Sequence, residues 1–473
     1  SVLNRIERSY TMKSPRIGLL PLYVELYDRV LPELRGTVEP LTDQVCEALA
    51  SRQVAVSRAT TCCVREQVEA ALKQFDDDQV DLIVTLHLAY SPSLESAEAL
   101  AATPRPLLLL DTTLDSAFPR DVNPERLLYN HGIHGVQDLA AMLRRHQKDY
   151  EVVAGHLSDP SVMDRVVEFA RAAHAAVLLK GMKTLGIGGA LKGMGDFRVE
   201  ADVLADQLGI TVDDIQPSDL EASAAAVSDE AIETERLKDL ERYQGEIDPE
   251  VHRRSLRAGL GLRNYLEQGD YGAFSMNFEE FRDADGPVNT VPFLECCKAM
   301  ARGIGYSGEG DVLTASLSAA LSRAYGMTSF VEMFCPDWEG NSIFLSHMGE
   351  FNPELSAEKP VLYEKEYPFS PAQNPAALGM APRGGKATHV NLSLGPDGTF
   401  RLIISLVEVL EDGTHPALPQ WVRAWIRPPL PVADFLEKFS RLGGTHHSVL
   451  MMGDHRESLG LFGRLSGMDV CDL

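Results

Sequence analysis

The sequence RIGLLPLYV at residues 16–24 is the first of four short apolar runs in the first third of the chain. The other three are DLIVTLHL at 81–88, RPLLLLD at 105–111 and EVVAGH at 151–156. Each run is too short and too uniformly apolar to be an independent helix, so each predicts a buried β-strand.

Stretches with helical spacing separate these runs, at Thr42–Ala50 and Arg65–Phe75. Strands that alternate with helices predict a parallel, doubly wound sheet. Ligands bind such a sheet at the carboxyl ends of its strands. We therefore expect an N-terminal α/β domain over residues 1–172.

A second unit of the same kind is predicted over residues 173–328, with AAVLLKGM at 175–182 as its first strand. A glycine-rich loop follows at 186–196. Its GIGGAL begins like a dinucleotide fingerprint, but the motif ends in leucine and no acidic ribose partner is evident. We favour a substrate-side loop there. The charged helical segment 219–270 predicts solvated faces or subunit contacts.

The final segment, 329–473, changes character. Alternating apolar residues at 389–394 and 399–410, joined by Gly-Pro-Asp-Gly at 395–398, predict a hairpin. Prolines accumulate from 416 to 431, which favours strand and loop. The predicted fold class is therefore α/β, with two doubly wound, Rossmann-like parallel-sheet domains followed by a mostly antiparallel, β-barrel-like domain.

Composition narrows the class of protein. The chain has 473 residues and a formal charge of -25, from 44 basic and 69 acidic residues. So acidic a chain argues against nucleic acid or an anionic membrane as the main partner. It contains no apolar run of the ~18 residues that a membrane span needs and no signal-like start, so we expect a cytoplasmic protein. Its seven cysteines include two adjacent pairs and no CxxC, which predicts reduced thiols.

Two glutamates and three histidines stand out because they lie in short blocks rich in glycine, serine and aromatic residues. The blocks are GIGYSGEGD (303–311), TSFVEMF (328–334), LSHMGEFNP (345–353) and GGTHH (443–447), which contain Glu309, Glu332, His347, His446 and His447. Carboxylate and imidazole donors together suit a divalent ion such as Mn2+ better than thiolate sites do. The pattern therefore predicts a metalloenzyme.

Each candidate also has a simpler interpretation. Glu309 can cap a helix that starts near Val312, since acidic residues favour a helix N-terminus. His347 can be a hydrogen-bonded core histidine. Glu332 lies in an apolar run, where a buried carboxylate requires a partner or a metal. His446 and His447 are adjacent, so on an extended segment they would point to opposite sides and only one would bind the ion.

The blocks GYSGEGD, TSFVEMF, LSHMGE and GGTHHSV closely resemble the metal-site blocks of the L-arabinose isomerase family, within the group that includes L-fucose isomerases. LIVTLHLAYSP at 82–92, VVAGHLSD at 152–159 and LGLRNYLEQGDYGAFSMNFEE at 260–280 resemble further family segments in the same order. The resemblance implies an aldose–ketose isomerase that acts on an unphosphorylated pentose or related sugar through a cis-enediol.

The resemblance also implies the residues of the site. Glu309, Glu332, His347 and His447 would coordinate Mn2+ or another divalent cation, with the two glutamates as the acid and base pair and no organic cofactor. Positions that would face the sugar are His134, Phe278, Phe334, Val24, His446 and Met348.

Two of these positions depart from the family pattern. Val24 stands where the family carries a glutamine, and Phe334 where it usually has tyrosine. Both changes remove hydrogen-bonding groups, and a site discriminates strongly through such bonds. The departures count against L-arabinose itself as the natural substrate.

Other outcomes remain open from the sequence. An epimerase or an aldolase on a related keto-sugar can use the same metal site, and two sugar-binding α/β domains can form a non-catalytic sensor. The resemblance further implies a homo-oligomer, a hexamer or trimer, whose sites lie at subunit interfaces. His134 would reach the sugar from a neighbouring subunit.

Overall fold

The computed structural model of the chain describes residues 14–411 and 420–473. These residues form two compact units, one up to Val177 and one from Leu178. The predicted domain boundaries at residues 172/173 and 328/329 stay predictions. Part of the proline-rich segment predicted from 416 to 431 lies outside the described residues.

The N-terminal unit is a parallel sheet with helices between its strands. Its elements are β1 (Arg16–Leu22), α1 (Glu25–Val30), α2 (Glu33–Val38), α3 (Pro40–Ala50), β2 (Ala55–Arg58), α4 (Arg65–Asp77), β3 (Leu82–His87), α5 (Ala97–Ala102), β4 (Leu107–Asp111), α6 (Ile133–Arg145), β5 (Glu151–Ala154) and α7 (Pro160–Lys180). The strand order β2-β1-β3-β4-β5, with every pair parallel, is that of a doubly wound sheet.

All four strands predicted in this unit are confirmed, with ends that differ by a few residues. β3 is fully buried along its length, as its uniform apolar sequence predicts for a central parallel strand. Helices α3 and α4 confirm the two predicted helices. Tyr23 and Val24, at the carboxyl end of β1, are both buried.

The second unit begins with another parallel sheet. Its elements are β6 (Lys183–Ile187), α8 (Ala201–Leu208), β7 (Thr211–Ile215), α9 (Glu221–Ala225), α10 (Asp229–Arg242), α11 (Pro249–Gln268), β8 (Ala273–Met276), α12 (Phe293–Ala301), β9 (Gly305–Gly308) and α13 (Val312–Tyr325). The order β7-β6-β8-β9 is again doubly wound. The segment 219–270 is helical, as predicted.

One strand prediction in this region is wrong. Residues 175–182 do not form the first strand, because α7 continues to Lys180 and the strand is β6. The apolar run AAVLLKGM is the end of a long helix whose alanines at 172, 173 and 175 are buried. A short apolar run cannot be assigned to strand or helix from periodicity alone.

The rest of the second unit is a β-barrel with two helices. Its elements are β10 (Thr328–Asp337), β11 (Ser342–Leu345), β12 (Val361–Glu364), β13 (Ala376–Gly379), β14 (Gly385–Leu394), β15 (Phe400–Val409), β16 (Ala424–Arg427), α14 (Val432–Arg441), β17 (His447–Met452), α15 (Arg456–Leu465) and β18 (Asp469–Asp472). Six antiparallel strands in the order β14-β17-β10-β11-β16-β15 close into a ring, since β14 also pairs with β15. The predicted hairpin is β14 and β15.

Strand β10 connects the two cores of this unit. Val331 packs in the core of the barrel, and Phe330 packs with the core of the four-stranded sheet. Because side chains alternate along a strand, Glu332 lies on the same face as Phe330 and points away from the barrel core. This alternation brings one strand of the barrel to the functional site.

Among the residues described, none of the helices combines the length and the apolar character needed to cross a lipid bilayer.

Candidate metal centre and active site

Four chain segments converge at the edge of the barrel. Glu309 follows β9, Glu332 lies within β10, His347 follows β11, and His447 begins β17. The antiparallel pairing of β10 with β17 places Glu332 directly opposite His447. The pairing of β10 with β11 is shifted by a bulge between Met333 and Cys335. A bulge of this kind re-aims side chains beside it.

The acidic and imidazole side chains face one another across short distances. Nε2 of His447 lies 3.2 Å from Oε2 of Glu309 and 3.9 Å from Oε2 of Glu332. Nε2 of His347 lies 3.3 Å from Oε2 of Glu332. The ligand atoms of Glu309, His347 and His447 all lie within 4.8 Å of one another. The four predicted ligands are therefore brought together.

The arrangement fits a divalent cation. Nε2 of His447 is buried and has no hydrogen-bond partner of acceptable geometry, although Glu309 lies close by. A buried polar atom without a partner is costly, and a bound cation would satisfy it. Two carboxylates and two imidazoles form a donor set that suits Mn2+, Zn2+ or Fe2+.

Buried carboxylates fix the orientation of both imidazoles. Nδ1 of His447 lies 3.0 Å from Oδ2 of Asp311, and Nδ1 of His347 lies 2.6 Å from Oε2 of Glu350. Ionised carboxylates only accept, so each Nδ1–H donates and each Nε2 is left for a ligand. Partners of this kind hold metal-binding histidines in protein sites.

Each orienting carboxylate is fixed in turn. Oδ1 of Asp311 accepts from the backbone N–H of Thr314 at 2.9 Å and caps α13. Oε1 of Glu350 accepts from the hydroxyl of Tyr306 at 2.9 Å. The helix cap is therefore Asp311, and the interpretation of Glu309 as that cap is wrong. Glu309 instead has its side chain in the cluster.

Two phenylalanines surround the histidines. Phe330 meets the rings of both His347 and His447 edge-on, with centroids 4.9 and 5.1 Å away. Phe197 stacks on His447 with a centroid distance of 5.3 Å and an angle of 15° between the rings. These contacts exclude water from the back of the cluster and restrict the imidazoles further.

His446 also reaches the cluster. Its Nε2 lies 3.3 Å from Oε2 of Glu309, and its Nδ1 lies 2.6 Å from Oδ2 of Asp196. The ring centroids of His446 and His447 are only 4.0 Å apart. The expectation that the two rings point to opposite sides is therefore wrong, because His446 precedes β17 and is not in its extended register.

The charges of the cluster shift its pKa values. Burial raises the pKa of Glu332. Burial opposes ionisation of Glu309 as well, but the two imidazoles at 446 and 447 outweigh it and hold the pKa of Glu309 far below its usual value. Burial favours a neutral His447, but the carboxylates of Asp311 and Glu309 outweigh it and raise the pKa to about 9, so a bound cation would take the place of a proton on Nε2. The site is thus built from mutually stabilising charges.

The backbone is also constrained at the site. Glu309 has φ +64°, a left-handed conformation that non-glycine residues seldom adopt. Strain of this kind persists where surrounding structure enforces it and clusters at functional sites. Leu191 supports this turn by donating its N–H to the carbonyl of Glu309 at 2.9 Å.

Gly308 offers a direct test of the geometry. A Cβ at this position would lie 2.9 Å from Cε1 and 3.2 Å from Nε2 of His347. Glu350 holds Nδ1 of the His347 imidazole. The ring could therefore make room for the added methyl group only by moving Nε2 out of its present position. We expect Gly308→Ala to weaken Mn2+ binding by about 10-fold, in the range seen when supporting groups of a metal site are altered.

Titration calorimetry with Mn2+ checks this expectation. Gly36→Ala is the matched control, because the space around Gly36 is open. Mn2+ affinity equal to that of the unchanged protein in Gly308→Ala would contradict the placement of the ion at His347.

The remaining predicted sugar contacts lie in different parts of the chain. Phe278 follows β8 and packs edge-on against Phe369 at 5.6 Å, and Met348 is half-buried against the same core. Phe334 is 45% exposed, with its ring 6.4 Å from that of His347. The roles of these three residues in sugar binding stay predictions.

Two predicted contacts belong to the N-terminal unit. Val24 is buried after β1, and His134 is exposed in the first turn of α6, with its Nδ1 3.3 Å from Nδ1 of His131. Their contribution to the sugar site stays a prediction.

Several residues of the site were not found from the sequence. Asp311 and Glu350 both lay within the quoted blocks, and their signals were a cap position before a helix and a spacing of three from His347. Asp196 and Phe197 are separated from the histidine pair by about 250 positions, as the Asp196–His446 contact shows. No local signal in the sequence joins them.

Three family models match successive parts of the chain. Residues 28–180 match the L-arabinose isomerase N-terminal domain, 194–326 the central domain and 327–469 the C-terminal domain. The chain belongs to the L-arabinose isomerase family.

Full-length members of the L-arabinose isomerase family are similar along most of the chain. L-arabinose isomerase of Shouchella clausii is 28% identical over 466 residues, covering 96% of this chain and 92% of that protein. L-arabinose isomerase of a Nocardioides species is 29% identical and covers 90% and 89%. A solved structure of an ABC transporter solute-binding protein from Agrobacterium vitis, bound with alpha-D-tagatopyranose, aligns with 12% identity and a TM-score of 0.16, over 66% of this chain and 90% of that one. A TM-score so low supports no conclusion.

Proposed function

We propose that the chain is a divalent-metal-dependent aldose–ketose isomerase that acts on an unphosphorylated pentose or a related sugar through a cis-enediol. Membership of the L-arabinose isomerase family supports a sugar isomerase. The finer proposal is carried by one observation. Glu309 and two carboxylate-oriented histidines, His347 and His447, have ligand atoms within 4.8 Å of one another, and Oε2 of Glu332 lies 3.3 and 3.9 Å from the Nε2 atoms of those histidines.

The two glutamates are suited to proton transfer. Their side chains are 11% and 18% exposed, whereas the side chain of His447 is fully buried. Glu309 and Glu332 are therefore the more accessible of the four proposed ligands, since His347 is also nearly buried at 3%. An aldose becomes a ketose when the proton on C2 is removed, one is added at C1, and protons move between O1 and O2. Carboxylates beside the sugar can carry these protons.

Mn2+ is the ion that we propose for the site, held by Glu309, Glu332, His347 and His447. A bound divalent ion acts as a Lewis acid that stabilises negative charge developing on substrate oxygens. Burial and the carboxylates of Asp311 and Glu350 keep both imidazoles in place for that role. The reaction is redox-neutral overall and requires no organic cofactor.

The overall charge of the chain and two departures from the family pattern support a substrate class. The chain is strongly acidic, which disfavours a phosphorylated substrate. Phe334, close to His347, and Val24 offer no hydrogen bond to a sugar hydroxyl. We propose a sugar related to L-arabinose, with a different arrangement of hydroxyl groups at the positions these side chains face.

Product analysis tests the reaction class. The Mn2+-loaded protein is incubated with aldopentoses and aldohexoses, and products are identified by chromatography and mass spectrometry. The proposal requires a ketose of the same carbon number. An epimeric aldose, or fragments of shorter chain length, would replace it with an epimerase or an aldolase. Tight sugar binding without any product would indicate a sensor.

We also propose a cytoplasmic homo-oligomer in which His134 completes the site of a neighbouring subunit. In that case, His134→Ala mixed with Glu332→Gln should regain activity, because some sites then combine the intact His134 of one subunit with the intact Glu332 of the other. Random 1:1 mixing would restore about a quarter of the full rate.

Activity is compared before and after the two inactive proteins are mixed. Exchange of subunits is verified by labelling one of the two proteins with a mass tag and detecting mixed oligomers by mass spectrometry. His146→Ala, at the opposite end of α6, is the matched control and should be active without mixing. Absence of recovery despite proven exchange would contradict shared sites.

A further inference from the structure

The glycine-rich loop, with the residues that connect it to α8 at Ala201, contacts two segments that carry predicted ligands. At its start, Leu191 donates its N–H to the carbonyl of Glu309 at 2.9 Å. The carbonyl of Gly189 packs so closely on Gly310 that a Cβ there would lie 2.3 Å from it. The loop therefore rests on the turn that presents Glu309.

The far end of the loop holds the histidine pair. Oδ2 of Asp196 accepts two hydrogen bonds from His446, one from the backbone N–H at 2.9 Å and one from Nδ1 at 2.6 Å. The next residue, Phe197, is 3% exposed and stacks on His447. Two consecutive loop residues thus contact two consecutive histidines.

The hydrogen bond from Nδ1 determines where the other ring nitrogen of His446 points. With Nδ1–H donated to Asp196, Nε2 lies 3.3 Å from Oε2 of Glu309, at the partly exposed side of the cluster. The side chain of His446 is 31% exposed, so it is accessible to a sugar, whereas that of His447 is buried.

We propose that Asp196 is a positioning residue that fixes His446 toward the sugar and, together with Phe197, fastens the glycine-rich loop over the site. This inference rests on the proposed isomerase function. Asp196 would act through His446, whose Nδ1 it holds; because the ligand atom of His446 lies within 4.8 Å of those of Glu332 and His447, Mn2+ affinity is measured beside activity.

Three glycines give the loop a backbone conformation that other residues seldom adopt. Gly188, Gly189 and Gly193 have φ values of +80°, +68° and +89°, and a Cβ at Gly189 or Gly193 would meet no atom within 4 Å. A segment with few packing contacts opens at low free-energy cost. Asp196 and Phe197 hold its far end to the histidine pair, in addition to the hydrogen bonds from Leu191 to Glu309 and from Arg198 to the carbonyl of Leu191.

Kinetics of Asp196 variants test the positioning role. We expect Asp196→Ala to lower kcat/KM for the best aldose by about 10- to 100-fold, because a small misplacement of a group beside the substrate has effects of that size. The Mn2+ dissociation constant should change by less than about 3-fold, since His446 is not among the four proposed ligands. Asp196→Asn keeps an acceptor oxygen at the same place, so its kcat/KM should be close to that of the unchanged protein.

A double-substitution cycle shows whether the effect passes through His446. In a His446→Ala background, Asp196→Ala should lower kcat/KM by less than about 3-fold, because the partner is already absent. Asp206→Ala is the matched control, an exposed aspartate in the helix that follows the loop. It should behave like the unchanged protein.

Limited proteolysis tests whether the loop is held in place and does not depend on enzyme activity. Lys192 and Arg198 are exposed trypsin sites within the loop. Cleavage there should be about 10-fold faster in Asp196→Ala, the effect expected when a charge-assisted hydrogen bond that closes a segment is lost.

The outcomes separate this inference from the proposed function. Unchanged kcat/KM or an unchanged cleavage rate in Asp196→Ala would overturn the inference, and so would an Asn variant as impaired as the Ala variant. Loss of Mn2+ affinity as large as that of His447→Ala would replace positioning with metal binding. If the unchanged protein converts no sugar, the proposed function fails, and the cleavage rates still decide whether Asp196 fastens the loop.

Discussion

Glu332→Gln is expected to lower kcat for ketose formation by roughly 10³- to 10⁵-fold. General acid–base catalysis by one group contributes about 10²- to 10⁴-fold, and the amide also removes a charge that the ion requires. Glutamine has nearly the shape of glutamate, so the packing of β10 should survive. Glu332 lies opposite His447 and beside His347, so the substitution alters the centre of the cluster.

Single-turnover and steady-state rates on the best aldose measure this effect, and thermal unfolding verifies the fold. Glu339→Gln is the matched control, an exposed glutamate just beyond the end of the same strand. Its rate should equal that of the unchanged protein. A folded Glu332→Gln with a near-normal rate would show that the glutamate pair does not carry the chemistry.

Removal of divalent metal is expected to have an effect of similar size. Protein dialysed against a chelator should lose at least about 100-fold in activity and regain it with Mn2+, because the charge stabilisation proposed for the ion would be absent. The ion should also stabilise the fold, since the ligand cluster exists only in the folded chain. Binding at 100 times the dissociation constant contributes about 2.7 kcal/mol to the free energy of unfolding.

The thermal midpoint with and without added Mn2+ measures that stabilisation. In His347→Ala and Glu332→Gln, added Mn2+ should raise the thermal midpoint much less than in the unchanged protein. His389→Ala changes another buried histidine, which lies on β14 outside the cluster, and should keep the rise caused by Mn2+. Full activity in chelator, together with no rise in the thermal midpoint, would exclude a metal centre at this place.

Much of the fold followed from local patterns in the sequence. Central strands such as β3 are buried on both faces, so they appear as continuous apolar runs. At residues 175–182 the same inference from a short apolar run to a strand was wrong. There the run is the end of α7, where Ala175 and Leu179 are buried but Val177 is 58% exposed, and the end of a helix can be as apolar as a strand. Only length and flanking residues separate the two cases.

The site was predictable where chemistry and local motif coincide. Glu332, a carboxylate within an apolar strand, required a partner, and the structure provides His347 and His447. The groups that orient the histidines were not predicted, because their partners are defined by the fold. Asp196 reaches His446 across 250 positions of sequence. Sequence spacing carries no information about such a contact.

Ketose formation by the Mn2+-loaded protein is the most direct test of the central claim. A panel of L-arabinose, D-galactose, L-fucose, D-arabinose, L-ribulose and other pentoses and hexoses is assayed beside Glu332→Gln. The account predicts isomerisation of at least one sugar by the unchanged protein, with L-arabinose not the best substrate, and loss of that activity in the variant. No conversion of any sugar by folded, metal-loaded protein, or equal conversion by Glu332→Gln, would contradict it.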